Sequence, residues 1–364
     1  MFLAFGELMM RLAPTGRRRL RQSLPGSLEA TFAGAEANVC ASLAMWGAPA
    51  RLVTALPDAA NPLAEAALAN LRSLGIDTQF VLRRASGRLG IYFVEAGANQ
   101  RSSQVTYDRE ASAISQARAS EYDFAAALHG VRRVHITGIT PALSEAALGA
   151  TQALVQLARE RRLQISCDLN FRKKLWRWQS GTPPARLAAE CMSQLLPMVD
   201  LVIANEEDAA DVLGIRAAGS SVEQGTIQAD AYASVARQIV DRFPNVSRVA
   251  ITLRESISAD HNNWGALLLD ASSDRVCLAP ADESARYRPY EIRNIVDRVG
   301  AGDAFGAGLL YALDTPELAE PATALRFAVA ASCLKHSILG DFNYLSKDEV
   351  LALMGGSASG RVRR

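Results

Sequence analysis

Short apolar segments rich in β-branched residues alternate with longer amphipathic segments along most of the chain. The short segments are typical of buried strands and the long ones of helices packed on a sheet. The predicted strands are 51–55, 133–137, 163–168, 201–204 and 249–253, and the predicted helices are 62–74, 144–159 and 231–243. This alternation predicts βαβ units, and therefore a mostly parallel sheet covered on both faces by helices. Because no linker rich in Pro, Gly or Ser divides the chain, we expect one large α/β domain over residues 1–354.

Two segments break this alternation and predict a small accessory sheet. Residues 88–108 alternate on either side of Gly97-Ala98-Asn99-Gln100, which is typical of a hairpin. The basic run 17–21 and the extended segment 27–32 supply the other part. A small sheet without its own core must cover something, so we expect a lid formed near 11–32 and 87–109, over a cleft or against a second subunit. The alternative is an edge extension of the main sheet, and the small, basic tail 355–364 is expected to fray.

Composition and charge narrow the classes of function. The 364 residues include 39 Lys and Arg against 38 Asp and Glu, so the chain has no overall field that would attract nucleic acid or an anionic membrane. No apolar run reaches the roughly 18 residues of a membrane span, and residues 1–7 lack the features of a signal peptide, so we expect a cytoplasmic protein. The five cysteines form no Cys-x-x-Cys pair and the four histidines form no His-Glu-x-x-His pattern, so neither redox nor zinc chemistry is indicated.

The most informative segment is Asp297-Arg-Val-Gly-Ala-Gly-Asp303, which leads into an apolar helix predicted over 304–313. Glycines before a helix leave N–H groups unpaired at its positive end, which favours the binding of an anion such as phosphate. The carboxylate of Asp303 in the same turn could accept a proton from an attacking hydroxyl. On these residues alone a structural interpretation is favoured, since Asp is common in first turns and Gly-Ala-Gly permits tight packing.

Two common nucleotide motifs do not match the chain. A dinucleotide-binding Gly-x-Gly-x-x-Gly is disfavoured because Gly306 lies one residue too late and the segment is far from the first strand. No Gly-Lys dipeptide occurs, which excludes a Walker A loop. A dehydrogenase is therefore a weak alternative.

Segment 297–303 resembles the Asp-x-x-Gly-Ala-Gly-Asp signature of the ribokinase-like (PfkB) carbohydrate kinases, and other segments resemble that family in the same order. Residues 33–38 are similar to its Gly-Gly and Asn element, which holds sugar hydroxyls. Residues 205–208 are similar to its Asn-x-x-Glu element near magnesium and phosphate, and 249–253 to the strand that leads to the nucleotide. The resemblance covers roughly residues 2–353 and implies a three-layer α/β fold with a small β-sheet lid.

Within that family, the details resemble members that phosphorylate 2-keto-3-deoxygluconate. These details are the sequences at 34–38, 107–109 and 168–172. A carboxylate substrate needs fixed positive charge, and Arg offers a planar bidentate contact. Arg109 and Arg172 are therefore expected at the substrate, although either could instead form a structural or surface ion pair.

The resemblance implies ATP-dependent phosphorylation of a sugar acid at its terminal primary hydroxyl. Asp303 would be the base, and the N–H groups of Gly300, Ala301 and Gly302 would stabilise the transferring phosphoryl group. The implied substrate-binding residues are Gly34, Asn38, Tyr92, Tyr107, Arg109 and Arg172; the nucleotide-binding residues are Asn205, Thr252, Arg254, Gly300 and Gly302; and Asn205 and Asp208 would hold Mg²⁺ through water. We also expect a homodimer or higher oligomer formed through the lid. The alternatives are a fructokinase-like enzyme of the same fold and a nucleotide-binding regulatory protein without turnover.

Four positions depart from the family's pattern. Ala33 replaces the first glycine of the usual pair, and Asp208 replaces a glutamate. Arg254 replaces a glycine after the nucleotide strand, and Arg11 replaces an aspartate that binds sugar hydroxyls. The change at Arg11 weakens a neutral-sugar interpretation, because a cation beside the cleft would suit an acid. Arg11 could equally turn outwards.

Overall fold

The structure, a computed structural model, describes residues 1–205, 207–217, 229–282, 284 and 286–356. Glu206 of the 205–208 motif and positions 357–364 of the predicted tail lie outside the described residues. The strands are β1 (Phe2–Phe5), β2 (Met9–Ala13), β3 (Glu29–Ala33), β4 (Ala50–Val53), β5 (Ala55–Pro57), β6 (Leu82–Arg84), β7 (Gly90–Glu95), β8 (Gln104–Asp108), β9 (Arg133–Thr137), β10 (Gln164–Asp168), β11 (Leu201–Ala204), β12 (Arg248–Ser258), β13 (His261–Asp270), β14 (Arg275–Ala279) and β15 (Tyr290–Arg293).

The helices include all of those that the amphipathic segments predict. They are α1 (Leu20–Ser23), α2 (Ala35–Met45), α3 (Pro62–Ser73), α4 (Ala113–Gln116), α5 (Phe124–Ala127), α6 (Glu145–Glu160), α7 (Pro184–Leu195), α8 (Asp208–Leu213), α9 (Ala229–Arg242), α10 (Ala301–Leu313), α11 (Pro321–Lys335) and α12 (Lys347–Met354). Local signals explain several of the starts. The side chain of Ser144 accepts from the N–H of Ala147 before α6, and Asn61 caps α3 in the same way.

The main sheet of the described residues has nine strands, in the order β14-β13-β12-β11-β10-β9-β1-β4, with β15 also pairing with β13. Strands β4, β1, β9, β10, β11 and β12 run parallel. Strands β13, β14 and β15 add an antiparallel edge. The prediction of a mostly parallel sheet is confirmed.

The two faces of this sheet are covered by separate hydrophobic cores. Successive side chains of a strand point to opposite faces, so Leu3 and Phe5 of β1 enter one core while Phe2 and Ala4 enter the other. Helices α6 to α9 cover the first core, and α2, α3 and α10 to α12 cover the second. This is the three-layer arrangement that the resemblance implied.

A separate four-stranded sheet has the order β3-β2-β7-β8. Strands β7 and β8 form the predicted hairpin, and β3 lies close to the predicted extended segment. The prediction was wrong for the basic run 17–21, which forms the end of a turn, two irregular residues and the start of the short helix α1 rather than a strand. The missing strand is β2, which the sequence hides because it follows β1 after only the three residues Gly6, Glu7 and Leu8.

All five cysteines lie in the described residues and none forms a disulfide bond. Four of the thiols are buried and that of Cys333 is partly buried. Burial raises the pKa of every one of them, that of Cys191 to about 11 and that of Cys333 to about 12. Within the described residues, none of the helices combines the length and the apolarity needed to cross a membrane.

Candidate active site

A pocket of about 310 Å³ lies where the parallel strands end. Side chains at or after the carboxyl ends of β1, β9, β10 and β11 line it on one side, and side chains of the small sheet line it on the other. In open α/β sheets this edge is the usual place for ligands. Every predicted site residue lines this pocket: Gly34, Asn38, Tyr92, Tyr107, Arg109, Arg172, Asn205, Asp208, Thr252, Arg254, Gly300, Ala301, Gly302 and Asp303.

Helix α10 begins at this pocket with two glycines that serve different purposes. Gly300, its N-cap, has a φ of +83°, and a Cβ there would lie 2.2 Å from the backbone oxygen of Asp341. Only glycine fits that position. At Gly302 a Cβ would meet no other atom within 4 Å, so this residue opens onto free space. The first N–H groups of a helix lack partners within it, and the N–H of Ala301 reaches the carbonyl of Arg298 only at 3.4 Å. The helix start is therefore able to receive an anion.

Asp303 occupies the first turn of the same helix. Its carboxylate accepts a hydrogen bond from Nδ2 of Asn38 at 2.6 Å. Burial, reinforced by the negative charge of Asp341, raises the pKa of Asp303 to about 6. Its carboxylate is therefore mostly ionised at neutral pH yet basic enough to accept a proton.

Gly34 is the N-cap of α2, and Asn38 lies four residues later on the same helix. A Cβ on Gly34 would lie 2.0 Å from the backbone oxygen of Glu7, so the close approach of two chain segments requires glycine. Oδ1 of Asn38 accepts from the N–H of Gly34 at 3.3 Å, while its Nδ2 donates to Asp303. Ala33 does not intrude on the pocket, because its methyl group packs with Met9 and other side chains of the small sheet.

The two arginines predicted at the substrate have different environments. Arg109 is buried, forms an ion pair with Glu7, and lies over the ring of Tyr107 at 5.2 Å. Its charge is already compensated, which is the structural alternative raised by the sequence. Arg172 is exposed and, within the part of the chain that is described, forms no ion pair within 4.0 Å. Its charge lowers the pKa of Asp168, Asp208 and Asp303, although burial outweighs this effect at each of them.

Asn205 and Asp208 cap each other at the start of α8. Oδ1 of Asn205 accepts from the N–H groups of Glu207 and Asp208 at 2.8 and 2.9 Å. The carboxylate of Asp208 accepts from the N–H groups of Asn205 and Phe171, both at 3.1 Å. No group of three or more His, Cys, Asp or Glu side chains among the described residues is arranged to hold a metal ion. This donor set fits Mg²⁺ held through water and by phosphate oxygens, and does not fit a cage made by protein alone.

Arg11 neither faces the pocket nor turns outwards. It lies buried between the carboxylates of Asp297 and Asp341, at 2.5 Å from each. The interpretation that Arg11 turns outwards is therefore wrong, and the cation beside the cleft is compensated by two carboxylates, one of which lines the pocket. The hydroxyl of Tyr92 donates to the same Asp341 at 2.6 Å.

Sequence reasoning missed four acidic residues that line the pocket: Glu7, Glu36, Asp168 and Asp341. Glu36 accepts from the hydroxyls of Thr137 and Thr140 at 2.7 and 3.1 Å, and burial raises its pKa to about 7. Its position inside the 33–38 motif was the available signal. Glu7 and Asp341 carry no such signal, because their partners are remote in sequence.

The fold has three layers around a mostly parallel sheet, with a pocket at the strand ends and a glycine-rich helix start beside a carboxylate. These features define an α/β enzyme of the phosphotransferase class. The sequence model of the pfkB family carbohydrate kinases matches residues 1–240 and 265–341. The chain belongs to this family and is a carbohydrate kinase.

Named relatives agree with this membership over almost the whole chain. The chain is 31% identical over 358 residues to a 2-dehydro-3-deoxygalactonokinase of Haloferax volcanii, covering 98% of both proteins. It is 40% identical to the crystal structure of a 2-dehydro-3-deoxygluconokinase from Thermotoga maritima, with a TM-score of 0.86, covering 98% of this chain and 99% of that one. A PfkB family carbohydrate kinase from Listeria grayi is 32% identical with a TM-score of 0.82, and the match covers 97% of this chain and 99% of that one.

Proposed function

We propose that this kinase transfers a phosphoryl group from ATP to the terminal primary hydroxyl of 2-keto-3-deoxygluconate, giving the 6-phosphate, with Asp303 as the base. The observation that carries this proposal is the 2.6 Å hydrogen bond from Asn38 to Asp303. It joins the element that would hold sugar hydroxyls to the helix start that would hold phosphate. The Thermotoga relative's name supports this substrate. The Haloferax relative's name supports a second candidate, 2-keto-3-deoxygalactonate, which differs only in the configuration of one hydroxyl-bearing carbon.

In the proposed reaction, the sugar hydroxyl oxygen forms a bond to the γ-phosphorus of ATP. The bond between that phosphorus and the bridging oxygen breaks, the proton passes to Asp303, and ADP leaves. The N–H groups of Gly300, Ala301 and Gly302 would stabilise charge on the transferring group. Mg²⁺, when bound, would neutralise phosphate charge, with Asn205 and Asp208 holding its water ligands and Thr252 and Arg254 lining the nucleotide side of the pocket.

The substrate carboxylate is assigned to Arg172 rather than equally to both arginines. Arg109 and Glu7 together carry no net charge, so this pair would contact substrate as a polar wall with little preference for an acid. Arg172 keeps its positive charge at the pocket. The small sheet would act as a lid, with Tyr92 and Tyr107 presented to the sugar, although the hydroxyl of Tyr92 is already bonded to Asp341.

A coupled assay of ADP release over a panel of substrates tests this proposal. The panel contains both 2-keto-3-deoxy sugar acids, gluconate, fructose and ribose, and we expect turnover of a 2-keto-3-deoxy acid well above that of any neutral sugar. A charge-assisted contact contributes about 1.5 to 3 kcal/mol. Arg172→Ala should therefore raise KM for the acid roughly tenfold to a hundredfold and leave KM for fructose nearly unchanged.

Two results would contradict the proposal. Turnover of fructose above that of both acids would favour the fructokinase-like alternative. Binding of ATP without turnover of any member of the panel would favour the regulatory alternative. Equal losses on acid and ketose in Arg172→Ala would remove Arg172 from carboxylate recognition and leave the kinase activity in place.

A further inference from the structure

A buried group of charged side chains lies between the small sheet and the start of α10, and of its members Arg11, Asp297, Asp341 and Lys335 only Asp341 lines the pocket. Arg11 of β2 is 4% exposed and donates to Asp297 and Asp341 at 2.5 Å each. Lys335, at the end of α11, is completely buried nearby and donates to the carbonyl of Ile338 at 3.1 Å. Burial lowers the pKa of Lys335, and the negative charges of Asp297 and Asp341 oppose this effect. One guanidinium therefore contacts two buried carboxylates, with a buried lysine beside them.

Both aspartates hold the backbone that shapes the helix start. The carboxylate of Asp297 accepts from the N–H groups of Val299 and Gly340 at 3.0 and 3.1 Å. The backbone oxygen of Asp341 lies against Gly300, at 2.2 Å from the position of a Cβ. By contacting both aspartates, the guanidinium of Arg11 therefore fixes the two backbone segments, around Asp297 and Asp341, that meet at Gly300.

The same aspartates are contacted from the small sheet at two points. Arg11 belongs to β2 and Tyr92 to β7, and these strands pair directly, with Arg11 opposite Tyr92. The hydroxyl of Tyr92 donates to Oδ2 of Asp341, while Arg11 donates to Oδ1. A displacement of the small sheet would therefore pull on the segment that packs against Gly300.

We infer that Arg11 is a positioning residue for phosphoryl transfer. It fixes the position of the helix start, and of Asp303, relative to the small sheet. The inference rests on the proposed role of Asp303 but on no particular sugar. Arg is suited to this task because its planar guanidinium contacts two carboxylates at once, whereas the ammonium group of Lys is a single point charge. Interactions that position the reacting groups affect the transition state more than ground-state binding.

The test is Arg11→Lys, with Arg51→Lys as the matched control. Arg51 is also buried on a strand and paired with a carboxylate, that of Asp77 at 2.7 Å, but it does not line the pocket. We expect both variants to lose thermal stability. Arg11→Lys should lose at least tenfold in kcat at saturating substrates while its Kd for ATP changes less than about threefold. Arg51→Lys should keep kcat within about twofold of the wild-type value.

A kcat of Arg11→Lys within twofold of wild type, with a fall in melting temperature like that of Arg51→Lys, would overturn the inference and leave Arg11 as a stabilising residue. Should Arg11→Lys fail to fold, Asp341→Asn is the substitute test, because asparagine has nearly the same shape as aspartate but carries no charge. Because the Asp341 charge helps to raise the pKa of Asp303, the acid limb of the kcat profile should move to lower pH and kcat should fall. An unchanged kcat would again overturn the inference, whether or not the limb moves.

The other groups that act on Asp303 stay in place in that variant. They are Asn38, Arg172, Lys335, Glu36 and Asp168. The outcome is distinct from failure of the proposed function, since that failure appears in the wild-type protein or in Asp303→Asn.

Discussion

Asp303 is the side chain on which the proposed chemistry depends. A primary hydroxyl is a poor nucleophile at neutral pH, and its proton needs an acceptor as the bond to phosphorus forms. General-base catalysis contributes about a hundredfold to ten-thousandfold in rate. Asp303→Asn should therefore lose at least roughly a hundredfold in kcat in a chemistry-limited assay, with ATP affinity unchanged or improved because a negative charge near the γ-phosphate is removed.

The pH dependence of turnover provides a second measurement on the same residue. The ionised carboxylate is the active form, and its pKa is raised to about 6, so kcat should fall as the pH drops through about 6. Asp303→Asn should lack this limb. Should the variant keep more than about a tenth of wild-type turnover, Asp303 is a first-turn helix residue and not the base.

At the residue scale, the sequence predicts which side chains reach the pocket better than it predicts what they contact. Motif spacing brought Asn38, Asp208 and Asp303 to one place. It could not separate Arg109 from Arg172, because the partner that neutralises Arg109 is Glu7, 102 positions away. Arg11 pairs with Asp341 across 330 positions. Such ion pairs depend on how the completed fold brings strands and loops together, which no local pattern contains.

The start of α10 permits a matched pair of glycine substitutions. Gly300→Ala should destabilise the protein by at least about 1 to 3 kcal/mol, because a side chain at a φ of +83° is strained and would also meet the backbone of Asp341. Gly302→Val should fold with little loss of stability, because nothing lies near its Cβ. It should instead raise the Kd for ATP at least tenfold by occupying the space where phosphate would lie.

Thermal denaturation and calorimetric titration with ATP measure the two effects separately. Equal ATP affinity in wild type and Gly302→Val would place the phosphate elsewhere. Normal stability of Gly300→Ala would show that the loop before α10 can relax.

At the scale of elements, the parallel strands and their helices were predictable because each carries one dominant pattern. The predicted boundaries 133–137 and 201–204 match β9 and β11. The prediction of one strand over 51–55 was wrong, because Thr54 separates β4 from β5, which pairs in a different sheet. Strand β12 runs to Ser258, well past the predicted end at 253, because β13 pairs with it along its polar half. Pairing partners, rather than local composition, decided these ends.

At the scale of the whole molecule, the small sheet leads us to expect association between copies of the chain. Its inward face supplies Met9, Tyr92 and Val94 to a small core, whereas Gln104, Thr106 and Asp108 of the edge strand β8 are exposed. A small sheet with an exposed face and open edges is marginal alone, so we expect at least a dimer by light scattering at micromolar concentration.

A substitution pair locates the interface. Thr106→Arg should weaken the association, whereas Gln156→Arg on the exposed side of α6 should leave it unchanged. A monomer in the wild-type protein would contradict the prediction of association, but it would not affect the proposal that the sheet acts as a lid. The single domain over 1–354 and the cytoplasmic location stay predictions at this scale.

Because the native thiols are buried, a cysteine introduced on the small sheet can be labelled selectively. Reaction with maleimides or iodoacetamides needs an accessible thiolate, and burial keeps the five native cysteines both protonated and shielded. A cysteine introduced at the exposed Gln100, beyond the end of β7, would react far faster than any of them. A fluorophore could therefore be attached there in the otherwise native sequence. If the sheet closes over the pocket as proposed, the emission of this fluorophore would change in real time as sugar and nucleotide are added.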